Sequence, residues 1–115
     1  MSQLPQKANN ESGLNHVKAI LEMNRALWGE VAPTLRAARV KWDEKTVYLY
    51  FYYDGEISEE DNESAECVAT EFISSYPEYK LEVEIVRIDW PKGLPQEGEL
   101  VYRRREKKPP GGKWQ

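Results

Sequence analysis

Thr46-Val47-Tyr48-Leu49-Tyr50-Phe51-Tyr52-Tyr53, followed by Asp54-Gly55 and then by Ser58-Glu59-Glu60-Asp61, is the stretch whose reading decides the fold. β-Branched and aromatic side chains suit a pleated surface, so Thr46–Tyr53 reads as a strand, and Asp54-Gly55 reads as a turn. The Ser58 hydroxyl can cap a helix, and acids at 59–61 complement the positive end of its dipole. Ser58 to Asp61 is close to a capping box, with Asp in place of the usual Glu or Gln. Behind it, Ala65, Val68, Ala69, Phe72 and Ile73 recur at helical spacing as a buried stripe. Glu59, Glu63, Glu66 and Thr70 share a different stripe that points toward water, and Pro77 closes the helix.

Working toward the N-terminus, Leu35–Trp42 reads as a strand with Ala38, Val40 and Trp42 on one face and Arg39 and Lys41 on the other. The short polar Asp43-Glu44-Lys45 link makes it the hairpin partner of Thr46–Tyr53. Before the connector at Pro33, the spacing predicts a helix capped by Asn15 and stopped near Gly29. Val17, Ile20, Leu21, Asn24 and Leu27 form its sheet-facing stripe in this reading, and Trp28 closes its end. Working toward the C-terminus, Leu81 to Ile85 alternates cleanly, the pattern blurs from Val86 to Trp90, and Glu99–Arg103 reads as a last short strand after a loop rich in Pro and Gly.

The elements run α-β-β-α-β-β, as if one unit were used twice, although no sequence repeat is seen. The predicted fold is an α+β two-layer sandwich, a four-stranded, mainly antiparallel sheet with both helices on one face. Residues 1–12 read as a flexible lead-in, 13–105 as the single domain and 106–115 as a flexible tail. Val47, Leu49 and Phe51 then face the helices. Tyr48, Tyr50 and Tyr52 line the other face, which two helices leave open.

The 115 residues suffice for one core without disulfides or metal. A net charge of −4 argues against nucleic-acid binding, which needs a basic surface, and the short basic run Arg103–Lys108 is offset by the rest of the chain. Cys67 is the lone cysteine, which suits a reducing cytoplasmic setting, and no apolar run approaches the length of a membrane span. The N-terminus lacks the charged start and apolar centre of a secretory signal.

The sequence carries no catalytic or metal-binding signature. His16 has no patterned nucleophile beside it, and acids at 63, 66 and 71 disfavour a Cys67 thiolate. One Cys and one His do not make a zinc site. A calcium loop starting at Asp54 would need Gly where Glu59 stands and Glu where Ala65 stands. The chain therefore reads as a non-enzyme without cofactor or metal. Two surfaces remain as partner-binding candidates: the acids Asp54, Glu56, Glu59, Glu60, Asp61, Glu63 and Glu66, and the tyrosines Tyr48, Tyr50 and Tyr52. Each has a plainer reading, a solvated helix start for the acids and a sheet-stabilising ladder for the tyrosines.

Trp42-Asp43-Glu44, the run Tyr48 to Gly55 and the acidic Ser58-Glu59-Glu60-Asp61 resemble segments of small bacterial immunity proteins from polymorphic or contact-dependent toxin systems. The resemblance covers Leu35 to Ile73 and Gly98 to Tyr102. It implies a cytosolic protein that binds and blocks a cognate toxin domain, often a basic nuclease, through an acidic surface. Such families share no fixed set of binding residues, so none is carried over. The competing readings are a self-associating subunit, a homodimer formed through the tyrosine face, and a small enzyme whose site is completed by another chain.

Overall fold

A computed structural model describes residues 13–108. The lead-in 1–12, and the tail from residue 109 onward, lie outside the described residues. Helix α1 (His16–Ala26) starts where the Asn15 side chain accepts from the Lys18 amide at 2.9 Å. Strands β1 (Leu35–Trp42) and β2 (Thr46–Tyr53) form the expected antiparallel hairpin, and the Asp43 carboxylate accepts from the amides of Lys45 and Thr46 in its turn. Helix α2 (Glu59–Ser74) begins with the Ser58 hydroxyl accepting from the Asp61 amide at 3.0 Å.

Strand β3 (Lys80–Arg87) runs parallel to β2, because α2 returns the chain to the end from which β2 set out. Strand β4 (Glu99–Arg103) runs antiparallel to β1, and the strand order is β3-β2-β1-β4. The sheet is thus mixed, with its one parallel pair at β2–β3. The second β-β pair is not a hairpin, since β3 and β4 occupy opposite edges, so the apparent doubling of a unit is not kept in space.

The helix-facing core joins Val40, Leu49, Phe51 and Tyr53 of the sheet to Met23 of α1 and to Ala65, Val68, Ala69 and Phe72 of α2. The stripe of α2 is the one its periodicity predicts. That of α1 is kept only in part: Leu27 is buried and Ile20 half-buried, but Ala19, Met23 and Ala26 form the rest of the inner side, whereas Asn24 is exposed and Val17, Leu21 and Trp28 are 62%, 58% and 74% exposed. Alanines at the buried positions let α1 lie close against both α2 and β4, and the bulkier apolar residues are left outside.

On the opposite face the alternation of β2 is as predicted, but the face is not open. Tyr50 and Tyr52 are buried, with rings stacked at a centroid distance of 6.4 Å, packed against Val86 of β3 and beneath Ile88 and Leu94 of the β3–β4 connection. Tyr48 is half-buried, with the Lys41 ammonium 5.2 Å from its ring centre. The loop that closes over the tyrosines is held by Arg36. A register shift between Leu35 and Ala37 makes Arg36 the extra residue of a β-bulge, which lets Leu35 and Ala38 both face the helices.

The fully buried Arg36 guanidinium donates to both carboxylate oxygens of Glu106, at 2.7 and 3.0 Å, and to the carbonyls of Ile88 and Lys92, at 2.8 and 2.9 Å. Glu106, which the sequence places in a free tail, is therefore part of the folded domain: a buried cation requires a carboxylate, and the chain beyond β4 supplies it.

Two outcomes follow for stability. Glu106→Ala leaves the Arg36 charge buried without its partner and is expected to cost about 3–5 kcal/mol in urea denaturation. The hydrogen bond from Arg36 holds the Glu106 carboxyl below the usual carboxylate range. Its stabilisation is complete above the unfolded value of about 4.3 and is lost as pH falls through the lower folded value, so a Glu106→Gln variant should show a flatter loss of stability in acid than the parent. Separately, Gly98 has φ +71°, and a Cβ there would meet the Val40 carbonyl oxygen at 2.5 Å. Gly98→Ala should destabilise by more than the roughly 1–2 kcal/mol of the left-handed conformation alone, measured by thermal melting.

Candidate functional site

The acids nominated by sequence separate into two groups once they are placed. Asp54 accepts from the Arg104 guanidinium at 2.9 Å and from the Trp90 amide at 3.2 Å, tying the β2 turn to both C-terminal segments. Asp61 is buried; its carboxylate accepts from the Thr34 hydroxyl at 2.9 Å, and its carbonyl accepts from the Tyr53 hydroxyl at 3.2 Å. Burial pushes the Tyr53 phenol up to about 12, with the Asp61 charge adding to it. These two acids hold the fold together at the start of α2.

Glu56, Glu59, Glu60, Glu63 and Glu66 are exposed and form no ion pair among the described residues. Their placement follows from the helix period. The side of α2 that turns away from Val68 and Phe72 carries Glu63, Glu66 and Thr70, and α2 contains no basic residue to offset them. This side lines a groove of about 770 Å³, bounded by Glu30 just past α1 and by Asn62, Glu63, Glu66, Cys67, Thr70, Glu71 and Ser74 of α2. Cys67 is exposed there, as its helical position predicts.

Glu30 and Glu71 join the nominated acids in this groove. The signal for Glu71 was present in the sequence, since it falls on the same side of α2 as Cys67 and Thr70. Glu30 could not be placed without knowing that the end of α1 meets the start of α2. Unpaired carboxylates brought together in this way make a polyanionic surface, which can desolvate little and steer strongly. Trp28, two residues before Glu30, supplies an exposed indole at the same end of α1. Tyr48 keeps partial exposure; Tyr50 and Tyr52 have none to offer a partner.

His16 makes a 2.8 Å contact to Glu99 on the surface, between the start of α1 and β4. Among the described residues there is no grouping of three His, Cys, Asp or Glu able to hold a metal ion, and no helix long and apolar enough to cross a membrane.

A compact two-layer α+β domain that gathers uncompensated charge in one groove is the class of protein these features define. The chain belongs to the MafI2 immunity protein family, whose profile matches residues 16–106. Comparison with curated proteins finds no match. The resemblance to immunity proteins seen in the central segment thus extends over the whole folded domain. It runs from the first residue of α1 to Glu106, the carboxylate that anchors Arg36. Membership gives the protein a toxin-neutralising role and a toxin protein as its partner.

The two groups of acids are separable by experiment. Asp61→Ala strands the Thr34 hydroxyl and removes a buried acceptor, so it should cost about 1–3 kcal/mol in denaturant titration. Glu60→Ala, exposed and unpaired, should stay within about 0.5 kcal/mol of the parent.

Proposed function

We propose that the protein meets its toxin in the cytoplasm and blocks it without catalysis, by docking the outer surface of its helix layer on a basic face of the toxin domain. The observation that carries this reading is the groove in which Glu30, Glu63, Glu66 and Glu71 converge with no cation among its lining residues. Glu56, Glu59 and Glu60 extend the negative field toward the head of α2. A toxin that acts on nucleic acid must hold phosphates with Lys and Arg, so a nuclease domain presents the surface that such a carboxylate row complements. In this reading the charge speeds encounter, and the exposed Trp28 slows dissociation by burying its ring.

Asp54 and Asp61 support the surface from within, and Tyr48 contributes at most from the edge of the opposite face.

One observation favours a second reading, self-association. Val17 and Leu21, one turn apart on α1, and Trp28 just past its end are exposed apolar side chains that a second copy can cover. Light scattering separates the two: a monomer at micromolar concentration removes self-association from the account.

The docking reading is tested with the cognate toxin domain. Glu63→Lys together with Glu66→Lys should leave the melting temperature nearly unchanged and weaken toxin binding by about a hundredfold or more in calorimetry, with protection lost in a toxicity assay. Unchanged affinity in this double variant would remove the groove from the interface.

A further inference from the structure

On the sheet face away from the helices, basic residues gather around one hollow. The β3–β4 connection stands off β1 and β4 to leave a cleft of about 590 Å³, lined by Ala37, Arg39, Ile88, Lys92, Leu94, Leu100 and Arg103 with the Gly93, Pro95 and Gln96 backbone turn. We propose that this cleft is a binding site for a small amphipathic organic anion, with an oxyanion head held by the basic residues and an apolar body laid on the aliphatic ones. The inference does not depend on the docking of a toxin to the helix layer.

Three observations support it. Cleft size falls in the range of ligand sites, roughly 300–1,000 Å³, and its lining has the composition of such sites, an apolar majority with a few convergent polar groups. Two of its cations carry uncompensated charge: Arg39 is held by the carbonyls of Glu97 and Gly98, at 3.2 and 2.9 Å, which fix its position and leave its charge, and Lys92 has no ion pair among the described residues. Glu97, the acid beside this rim, is engaged by Lys41 at 3.3 Å. In a chain of net charge −4, cations gathered in one cleft point to an anion.

The site is also preformed. Arg36 fastens the loop through the carbonyls of Ile88 and Lys92, on either side of the turn that forms the cleft wall, so little ordering opposes binding. Leu100 is exposed at the mouth, and Ile88 and Leu94 form the floor over the tyrosine pair. An apolar body reaching from Leu100 to Leu94 covers surface that water now wets.

The test titrates the full chain by ¹⁵N–¹H NMR with octanoate and octyl phosphate as probes, and with inorganic phosphate and octylammonium as controls for head and body alone. Shifts should map to Ala37, Ile88, Leu94 and Leu100, and the better of the two anionic probes should bind about tenfold or more tightly than either control. Which of the two wins identifies a carboxylate or a phosphate head. Lys92→Glu should weaken that probe by about tenfold or more at unchanged melting temperature, and Leu100→Asp should do the same from the apolar side. Equal binding of octylammonium, insensitivity to Lys92→Glu, or shifts confined to the helix layer would each overturn the assignment. None of these results bears on the Glu63 and Glu66 experiment.

Discussion

A guanidinium with no access to water is the constraint around which one half of this molecule is arranged. Arg36 is fully buried, and removing a cation from water is tolerable only where every donor is met and the charge is answered. Its partners come from distant parts of the chain: Ile88 and Lys92 from the β3–β4 connection and Glu106 from beyond β4. Satisfying this one side chain therefore fixes where the long connection lies. Once fixed, the connection lays Ile88 and Leu94 over Tyr50 and Tyr52, and its far end brings Gly98 against the β1 carbonyl of Val40. The tyrosine face is closed because the arginine is closed.

The hairpin and α2 were legible because each is specified locally and redundantly. Strand propensity, alternation and a polar three-residue turn agree in β1–β2; a serine cap, first-turn acids and a clean apolar stripe agree in α2. The stripe of α1 was misread at Val17 and Leu21, though not at Leu27, because periodicity reports which residues share a side, and not which side is inward. Val17 and Leu21 outweigh Ala19 and Ala26 in hydrophobicity, yet close helix packing prefers the small residues inside. The covered tyrosines were illegible for a different reason. A segment rich in Pro and Gly reads as an irregular loop, and nothing in its sequence says that a bulged arginine on another strand will pin it across the sheet. The same gap explains Glu106, whose neighbours Arg103 to Lys108 have the composition of a solvated tail.

Of the candidate site, sequence gave the acidic character of α2 and the water-facing positions of Glu63 and Glu66. It did not sort the acids by task. Asp54 and Asp61 are adjacent in type and region to Glu56, Glu59 and Glu60, but short carboxylates at the end of a strand and in the first turn of a helix reach backbone amides and neighbouring side chains, whereas the longer glutamates extend into water. Around the head of α2, chain length of the acid thus separates those bonded within the domain from those left exposed, whereas Glu106, buried against Arg36, is the long carboxylate that holds the fold. The same rule applies at Asp43 and Asp89, both of which accept from turn amides and both of which have carboxyls held below the usual range by those hydrogen bonds and, for Asp89, first by the Arg87 side chain.

Seen as charges, the domain is a plate with two unlike sides. Carboxylates without partners crowd the outer surface of the helix layer, and the guanidinium and ammonium groups of Arg39, Lys92 and Arg103 rim the cleft on the sheet side. Packed layers stand about 10 Å apart, so with the groove lying outside the helices the two fields are separated by more than the Debye length of about 8 Å at physiological salt. A partner at the groove or at the cleft meets the local charge, and not the average that the net charge of −4 suggests. In the docking proposed above, a basic toxin surface would be drawn to the helix layer, which would orient the encounter before any contact forms. Orientation of this kind needs a rigid plate, since a loop free to swing its cations toward the helices would blur the division. The buried pair that holds that loop down is thus a condition for the charge pattern as well as for the fold.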